Sequence, residues 1–185
     1  MTPWQLSQAV RALRAGGVIA YPTETVYGLG CDPLDPEAVE RLLTLKQRPM
    51  DKGLILIGAR LEHLLPFIDV ADEALRRKLQ RPTETPTTWV TPARAATPFW
   101  LRGRHPSIAV RITPHPLAAA LCSAFGGALV STSANPAGLP PARTALAVQR
   151  YFPGQLEQLL HGRTPPRARP SEIRDLIADT LLRGA

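Results

Sequence analysis

Short apolar runs alternate with amphipathic stretches along the whole of this 185-residue chain, and prolines cut the alternation into short pieces. Residues 3–15 carry Leu6, Val10 and Leu13 at helical spacing, and Gly16 and Gly17 stop the pattern. Residues 18–21 form an apolar run ahead of Pro22, a strand running into a loop. Asp35 and Pro36 open a second helix through Val39, Leu42, Leu43 and Leu45. Pro49 bars its continuation, because proline lacks the amide hydrogen and its ring clashes with the preceding turn. Residues 53–57 read as a buried strand, and residues 61–67 and 72–79 as short helices, Asp72 capping the second. Residues 89–91 and 108–112 read as strands separated by a proline- and arginine-containing connection. Pro116 sits in the first turn of a helix over 115–125; residues 129–131 are strand-like and 144–151 helical, and 171–175 and 180–182 are short strands. This alternation predicts an α/β domain with helices packed on a mixed sheet. Neither a long repeat nor a linker divides the chain, so one domain over residues 1–185 is expected, long enough to bury a sizeable core.

Charge is distributed unevenly. Residues 1–75 hold seven basic and ten acidic side chains, whereas residues 76–185 hold fifteen basic and five acidic ones. The skew points to an anionic partner for the second half, nucleotide phosphates or RNA, or else to a solvated arginine-rich surface. Lysine is scarce: Lys46, Lys52 and Lys78 stand against 19 arginines, and two of the three fall within seven residues. That clustering suggests a task for a compact ammonium charge. Cys31 and Cys122 match no metal or redox spacing and read as reduced core thiols. Residues 1–15 form an amphipathic pattern with Arg11 and Arg14 and not a secretory leader. No apolar run approaches the ~20 residues that cross a bilayer. A cytoplasmic protein without a membrane partner is expected.

Standard site patterns are missing. There is no glycine-rich phosphate loop ending in Gly-Lys-Ser/Thr, no GxGxxG, no GxSxG and no HExxH, and His63, His105, His115 and His161 have no ligand spacing. Three other segments carry candidate chemistry. The first runs from Lys46 through Arg48 to Lys52, after a helix and before a strand. Its three cations suit a triphosphate, Arg48 as a fork and the lysines as point charges, although a basic helix C-terminus complementing the dipole reads the same way. The second, Ser131, Thr132, Ser133, Ala134 and Asn135, lies at the carboxyl end of a strand, where open α/β sheets bind ligands. Its hydroxyls, amide and backbone N–H groups could receive phosphate or carboxylate oxygens, or simply build a turn. The third, residues 21–30, places Thr23, Glu24 and Thr25 between apolar flanks as a cavity lining. Arg111 interrupts an apolar strand, either on a solvent face or buried against an anion.

Taken in order, YPTETVYGLG at 21–30, KQRPMDKG at 46–53, SIAVRIT followed by HP at 107–116, STSAN followed by AG at 131–138, and PSEIRD at 170–175 resemble the YrdC/TsaC family of threonylcarbamoyl-AMP synthases, in its short single-domain bacterial form. The resemblance covers residues 18 to about 182. It implies a twisted open mixed sheet with packed helices around a large basic concave cavity. It also implies a reaction: L-threonine, bicarbonate or CO2, and ATP give threonylcarbamoyl-AMP and pyrophosphate, and a partner complex then passes the threonylcarbamoyl group to tRNA. Carried over by motif, Lys46, Arg48 and Lys52 form the phosphate and catalytic site, with Ser133, Asn135 and Arg143 also on ATP. Thr25, Arg111 and Ser131 hold threonine, with Arg111 on its carboxylate; Thr23, Thr132 and Ser171 are further wall residues. Mg2+ is expected with ATP, held by phosphates and water and not by a protein metal site. The carbamate of threonine is itself the nucleophile, which suits a chain without a Ser–His or Cys–His arrangement. Where the family has a Trp-Pro-Gly-Pro-apolar-Thr turn, this chain reads from Thr83 to Thr88 with Thr85 in the glycine's place. A turn needing a positive φ there would be strained. A reading from another class, an RNA-binding module built on the basic second half, remains beside the enzyme, and a basic cavity could also attract RNA.

Overall fold

The computed structural model describes residues 1–165 and 170–184. Helix α1 (Pro3–Arg14) starts at a reciprocal cap, in which the Thr2 hydroxyl accepts from the Gln5 amide and the Gln5 side chain accepts from the Thr2 amide. Strands β1 (Ile19–Pro22) and β2 (Tyr27–Gly30) follow as a hairpin. Helix α2 (Pro36–Lys46), capped by Asp35, leads to a single 3-10 turn (Met50–Lys52) and to β3 (Ile55–Gly58). Next come α3 (Glu73–Gln80), β4 (Thr87–Pro92), the one-turn α4 (Phe99–Arg102), β5 (Ser107–Ile112), α5 (Pro116–Phe125) and β6 (Leu129–Ser133). Helix α6 (Ala145–Tyr151), the two-residue β7 (Gln158–Leu159), β8 (Glu172–Asp175) and β9 (Leu181–Arg183) complete the elements among the described residues.

The strands join in the order β7-β1-β2-β6-β3-β5-β4-β8-β9. The sheet is mixed: β1/β7, β3/β5 and β4/β8 run parallel and the remaining pairs antiparallel. Successive strand residues face opposite sides, as the two-residue period requires. Ile19, Tyr21, Ile57 and Leu129 pack with Ala9, Val10 and Leu13 of α1 and with Ala118, Leu121 and Cys122 of α5. Ala20, Leu56 and Val130, one residue along, pack on the other face with Val39, Leu42 and Leu43 of α2, Leu79 of α3 and Val148 of α6. Helices therefore cover both faces, and the sheet is the twisted open α/β sheet that the sequence implies.

Several elements depart from the sequence reading. Residues 61–67 do not form an α-helix; only Leu61–His63 makes a 3-10 turn, and Pro66 follows too soon for a longer one. Strand β2 falls in a segment read as a loop, because glycines at 28 and 30 weaken the apolar signal. A Cβ on Gly30 would lie 2.6 Å from the Val130 carbonyl oxygen and 2.8 Å from the Tyr21 ring, so the strand needs a bare backbone there. The connection before β5 contains α4. The strain anticipated at Thr85 does not arise: among the described non-glycine residues only Gln47 and Asp179 have positive φ. Thr88, fully buried in β4, shares a hydrogen bond of 3.1 Å with Ser171.

Both cysteines are free and buried, and burial pushes each thiol far above its ordinary range, that of Cys122 to about 12. Native protein at pH 8 is expected to give no reaction with a thiol-titrating disulfide reagent on the time scale in which guanidinium-unfolded protein gives two equivalents. A rapidly reacting native thiol would contradict this placement.

Candidate functional site

The carboxyl end of β6 lies between two other segments. Its register sets Ser133 opposite Gly28 of β2 and Ser131 opposite Ile55 of β3, while β5, on the far side of β3, sets Arg111 opposite Ile57. A cavity of ≈ 510 Å³ opens there. Thr23, Thr25, Arg48, Lys52, Arg111, Ser131, Thr132, Ser133 and Ser171, nine of the residues singled out from sequence, line it. No lining residue among those described is acidic, whereas Arg48, Lys52, Arg102, Arg111 and Arg183 all line it, so its charge is that of an anion site.

The corner around Arg111 is built by the hairpin turn between β1 and β2. The Thr23 amide and hydroxyl both donate to the Val26 carbonyl, at 3.1 and 2.7 Å, and the Thr25 amide donates to the Thr23 hydroxyl. The two hydroxyls then lie 3.1 Å apart and buried. Between them in sequence, Glu24 turns back under the sheet. One of its carboxylate oxygens is 3.0 Å from Arg111 Nε, and the other accepts from Thr113 at 2.9 Å. Arg111 and Glu24 are both nearly enclosed, with side chains 8% and 11% exposed, so each compensates a charge that would otherwise be costly to bury. Arg111 is thus the buried alternative of the two read from sequence, held from behind and facing the cavity.

The second corner is cationic. Gln47, in the left-handed conformation, ends α2 sharply, and the amides of Gln47 and Arg48 satisfy the Thr44 and Leu43 carbonyls. Arg48 then donates to the Gly53 carbonyl at 2.9 Å. Burial, and next the neighbouring Arg183, lower its pKa. Lys52 is exposed at the cavity wall. Behind this corner the 3-10 turn lies against the end of α4: the Leu54 amide donates to the Leu101 carbonyl at 2.8 Å. A Cβ on Gly103, at φ +62°, would stand 2.2 Å from the Asp51 carbonyl oxygen.

Three predicted site residues do not line the cavity. Lys46 points the other way and donates to the carbonyls of Ser133 and Asn135 and to the Asn135 side chain. Asn135 itself donates to the Leu139 and Pro136 carbonyls, at 2.7 and 3.2 Å. Arg143 is exposed just ahead of α6, and its carbonyl accepts from Thr164. Three further basic residues line the cavity without having been singled out as site residues: Arg102, His105 and Arg183. Arg183 donates to the Ser171 carbonyl at 3.1 Å, its pKa is lowered by burial and then by Arg111, and it shares the cavity wall with Arg111 and Arg48. Its only sequence signal is a basic residue in a short terminal strand. Among the described lining residues there is no carboxylate for a divalent cation; Glu24 lies behind Arg111, one oxygen 3.0 Å from its Nε and the other accepting from Thr113. No cluster of three His, Cys, Asp or Glu side chains occurs among the described residues. No described helix is long and apolar enough to cross a membrane.

The model of the Sua5_yciO_yrdC family, described as telomere recombination, matches residues 11–185. The chain is 51% identical over 187 residues to a protein named threonylcarbamoyl-AMP synthase from Cellvibrio japonicus (strain Ueda107), covering 99% of each. It is 52% identical over 172 residues to a protein of the same name from Nitrosococcus oceani, covering 93% of each. Among solved structures, P. abyssi Sua5 complexed with L-threonine superposes with a TM-score of 0.87 at 31% identity. That match covers 95% of this chain and 52% of Sua5, so the chain spans about half of the longer protein. E. coli YciO superposes with a TM-score of 0.81 at 29% identity, over 96% of this chain and 86% of that one.

Burial chiefly, and Arg48 next, push the Lys46 ammonium down to about 8 from the ordinary 10.5. Between these values the unfolded chain binds more protons than the folded one, so the lysine's contribution to stability is greatest above 10.5 and is lost as pH falls through 8. Urea unfolding of wild type and Lys46→Met should show their stability difference moving in the wild type's favour as pH rises from 8 to 10.5. A difference independent of pH across that window would show that Lys46 is not desolvated.

Proposed function

The chain belongs to the Sua5/YciO/YrdC family, and from that premise we propose that it is a threonylcarbamoyl-AMP synthase supplying the first step of threonylcarbamoyladenosine modification of tRNA. The observation that carries the reading is the meeting of two unlike corners in one cavity. One is cationic, formed by Arg48 and Lys52; the other is hydroxyl-rich around a buried arginine, formed by Thr25, Ser131 and Arg111. The first suits a triphosphate and the second an amino acid with a carboxylate and a hydroxyl.

In this reading the enzyme is a nucleotidyltransferase. The threonine amine forms an N–C bond to the carbon of bicarbonate, a C–OH bond breaks and water leaves, giving the carbamate. A carbamate oxygen then attacks the α-phosphorus of ATP, the bond to the bridging oxygen breaks, and pyrophosphate leaves. Ser133 and Thr132 at the end of β6 hold the nucleotide from the side opposite Arg48 and Lys52. Glu24 fixes Arg111 through Nε, so that its terminal nitrogens can take the threonine carboxylate as a fork. Thr23 supports Thr25, and Ser171 closes the wall from β8. No protein nucleophile is required; catalysis comes from alignment and from cations meeting the charge that develops on the phosphates. Mg2+ is proposed to arrive with ATP, bound by phosphate and water oxygens, since the described lining residues include no carboxylate. A single YrdC-like domain over residues 1–185 would act in the cytoplasm and hand its adenylate to a tRNA-modifying transfer complex. The basic cavity could also attract RNA at low salt.

Purified protein incubated with ATP, L-threonine and bicarbonate is expected to release pyrophosphate only when both co-substrates are present. Release that ignores threonine or bicarbonate, or no release by folded protein, would sink the reading and leave the RNA-binding module. Arg111→Ala is expected to raise the threonine KM by about 10- to 100-fold, the effect of losing a charge-assisted hydrogen bond, while ATP affinity stays near wild type. An unchanged threonine KM would remove Arg111 from the threonine site.

A further inference from the structure

We propose that Lys46 is a positioning residue: its ammonium group pins the turn that follows β6 behind the cavity, and a triphosphate is met by Arg48 and Lys52 instead. The second clause rests on the ATP reading above; the first does not. An ammonium group has three N–H donors and accepts nothing. Here three oxygens receive them, the carbonyl oxygens of Ser133 and Asn135, the latter at 2.9 Å, and Asn135 Oδ1 at 3.5 Å. No donor is left for a phosphate. The main chain repeats the contact, because the Lys46 carbonyl accepts from the Ala137 amide at 3.0 Å.

The turn requires such a partner. The β6 ladder ends where Ser133 pairs with Gly28, and the Ala134 amide still reaches the Tyr27 carbonyl at 2.8 Å. Beyond that point the chain leaves the sheet: the Ser133 carbonyl keeps one donor within the turn, the Asn135 amide at 3.0 Å, and further donors come from elsewhere. Lys46 supplies them from the last turn of α2, and the Asn135 amide closes the far side of the turn on Leu139 and Pro136. Lysine suits the task because three rotatable donors on a compact head can meet three oxygens that do not lie in one plane, which a guanidinium cannot. The left-handed Gln47 then divides the work between neighbours in sequence: Lys46 faces the turn, and Arg48 faces the cavity. Ser133, whose carbonyl Lys46 grips, is the residue that this turn presents to the ligand side.

Amide hydrogen exchange of nucleotide-free protein tests the first clause. Lys46→Met and Lys46→Gln should each speed exchange over residues 133–139 by at least about tenfold, with the sheet elsewhere exchanging as in wild type. Asn135→Ala, which strands no buried cation, should give the same local pattern even if the lysine variants do not fold. Unchanged exchange in that turn overturns the proposal whether or not the protein binds ATP. Titrations with ATP and AMP test the second clause. The Lys46 variants should weaken both nucleotides by the same factor, whereas Lys52→Ala should weaken ATP about tenfold more than AMP. A Lys46 variant that separates ATP from AMP as Lys52→Ala does would make Lys46 a phosphate ligand. In pyrophosphate release, Lys46→Met should lower kcat about tenfold with the threonine KM held within about twofold, the mark of misplacement without loss of the amino-acid site. Failure of wild type to bind either nucleotide would end the ATP reading while the exchange result still decides the assignment of Lys46.

Discussion

Strand β6 is hydrogen-bonded along both edges, to β2 through Ser133 and Thr132 and to β3 through Ser131, Val130 and Leu129. This double antiparallel pairing joins the hairpin end of the sheet to the end that carries β3, β5, β4, β8 and β9. It also fixes the depth at which three hydroxyls leave the sheet. With β6 displaced by one residue, every side chain on it would change face, and Val130 and Leu129 would exchange their cores. The cavity exists because this one strand brings the Thr23–Thr25 turn, the Arg48–Lys52 segment and Arg111 to a common end.

Charge is arranged around that end in two ways. Arg111 has a carboxylate partner, so its burial is compensated before any ligand arrives. Arg48 and Arg183 have only carbonyl oxygens as the hydrogen-bonding partners described here, and each lowers or feels the lowering of a neighbouring guanidinium. With five cations and no carboxylate among its described lining residues, the wall is electrostatically suited to a polyanion. The one carboxylate close at hand, Glu24, lies against Arg111 and Thr113.

Much of this was legible from the order of residues. The α1, α2 and α5 helices follow from apolar spacing, caps and proline positions, and nine of the twelve named site residues line the cavity. What escaped did so for physical reasons. Strand β2 is built on glycines that spare room for Tyr21 and the Val130 carbonyl, so its pattern is one of absent side chains. Lys46 and Arg48 stand two apart in a basic segment, and composition treats them alike. The left-handed residue between them sends one to a turn and the other to the cavity. Arg183 reaches the cavity because β9 folds back on β8 in a local hairpin, which the non-local parallel pairing of β8 with β4 carries to the cavity wall.

The contact between Gly103 and the Asp51 carbonyl has a consequence for the thermodynamics of binding. Two loops that could each have been mobile, one bearing Arg48 and Lys52 and the other Arg102 and His105, are packed backbone to backbone with no side chain between them. They form a single rim held by backbone contact. The conformational entropy of ordering that rim is lost when the chain folds, so a polyanionic ligand entering the cavity need not supply it again. Affinity here depends less on closing a flexible loop than on how far the rim was already shaped for its guest.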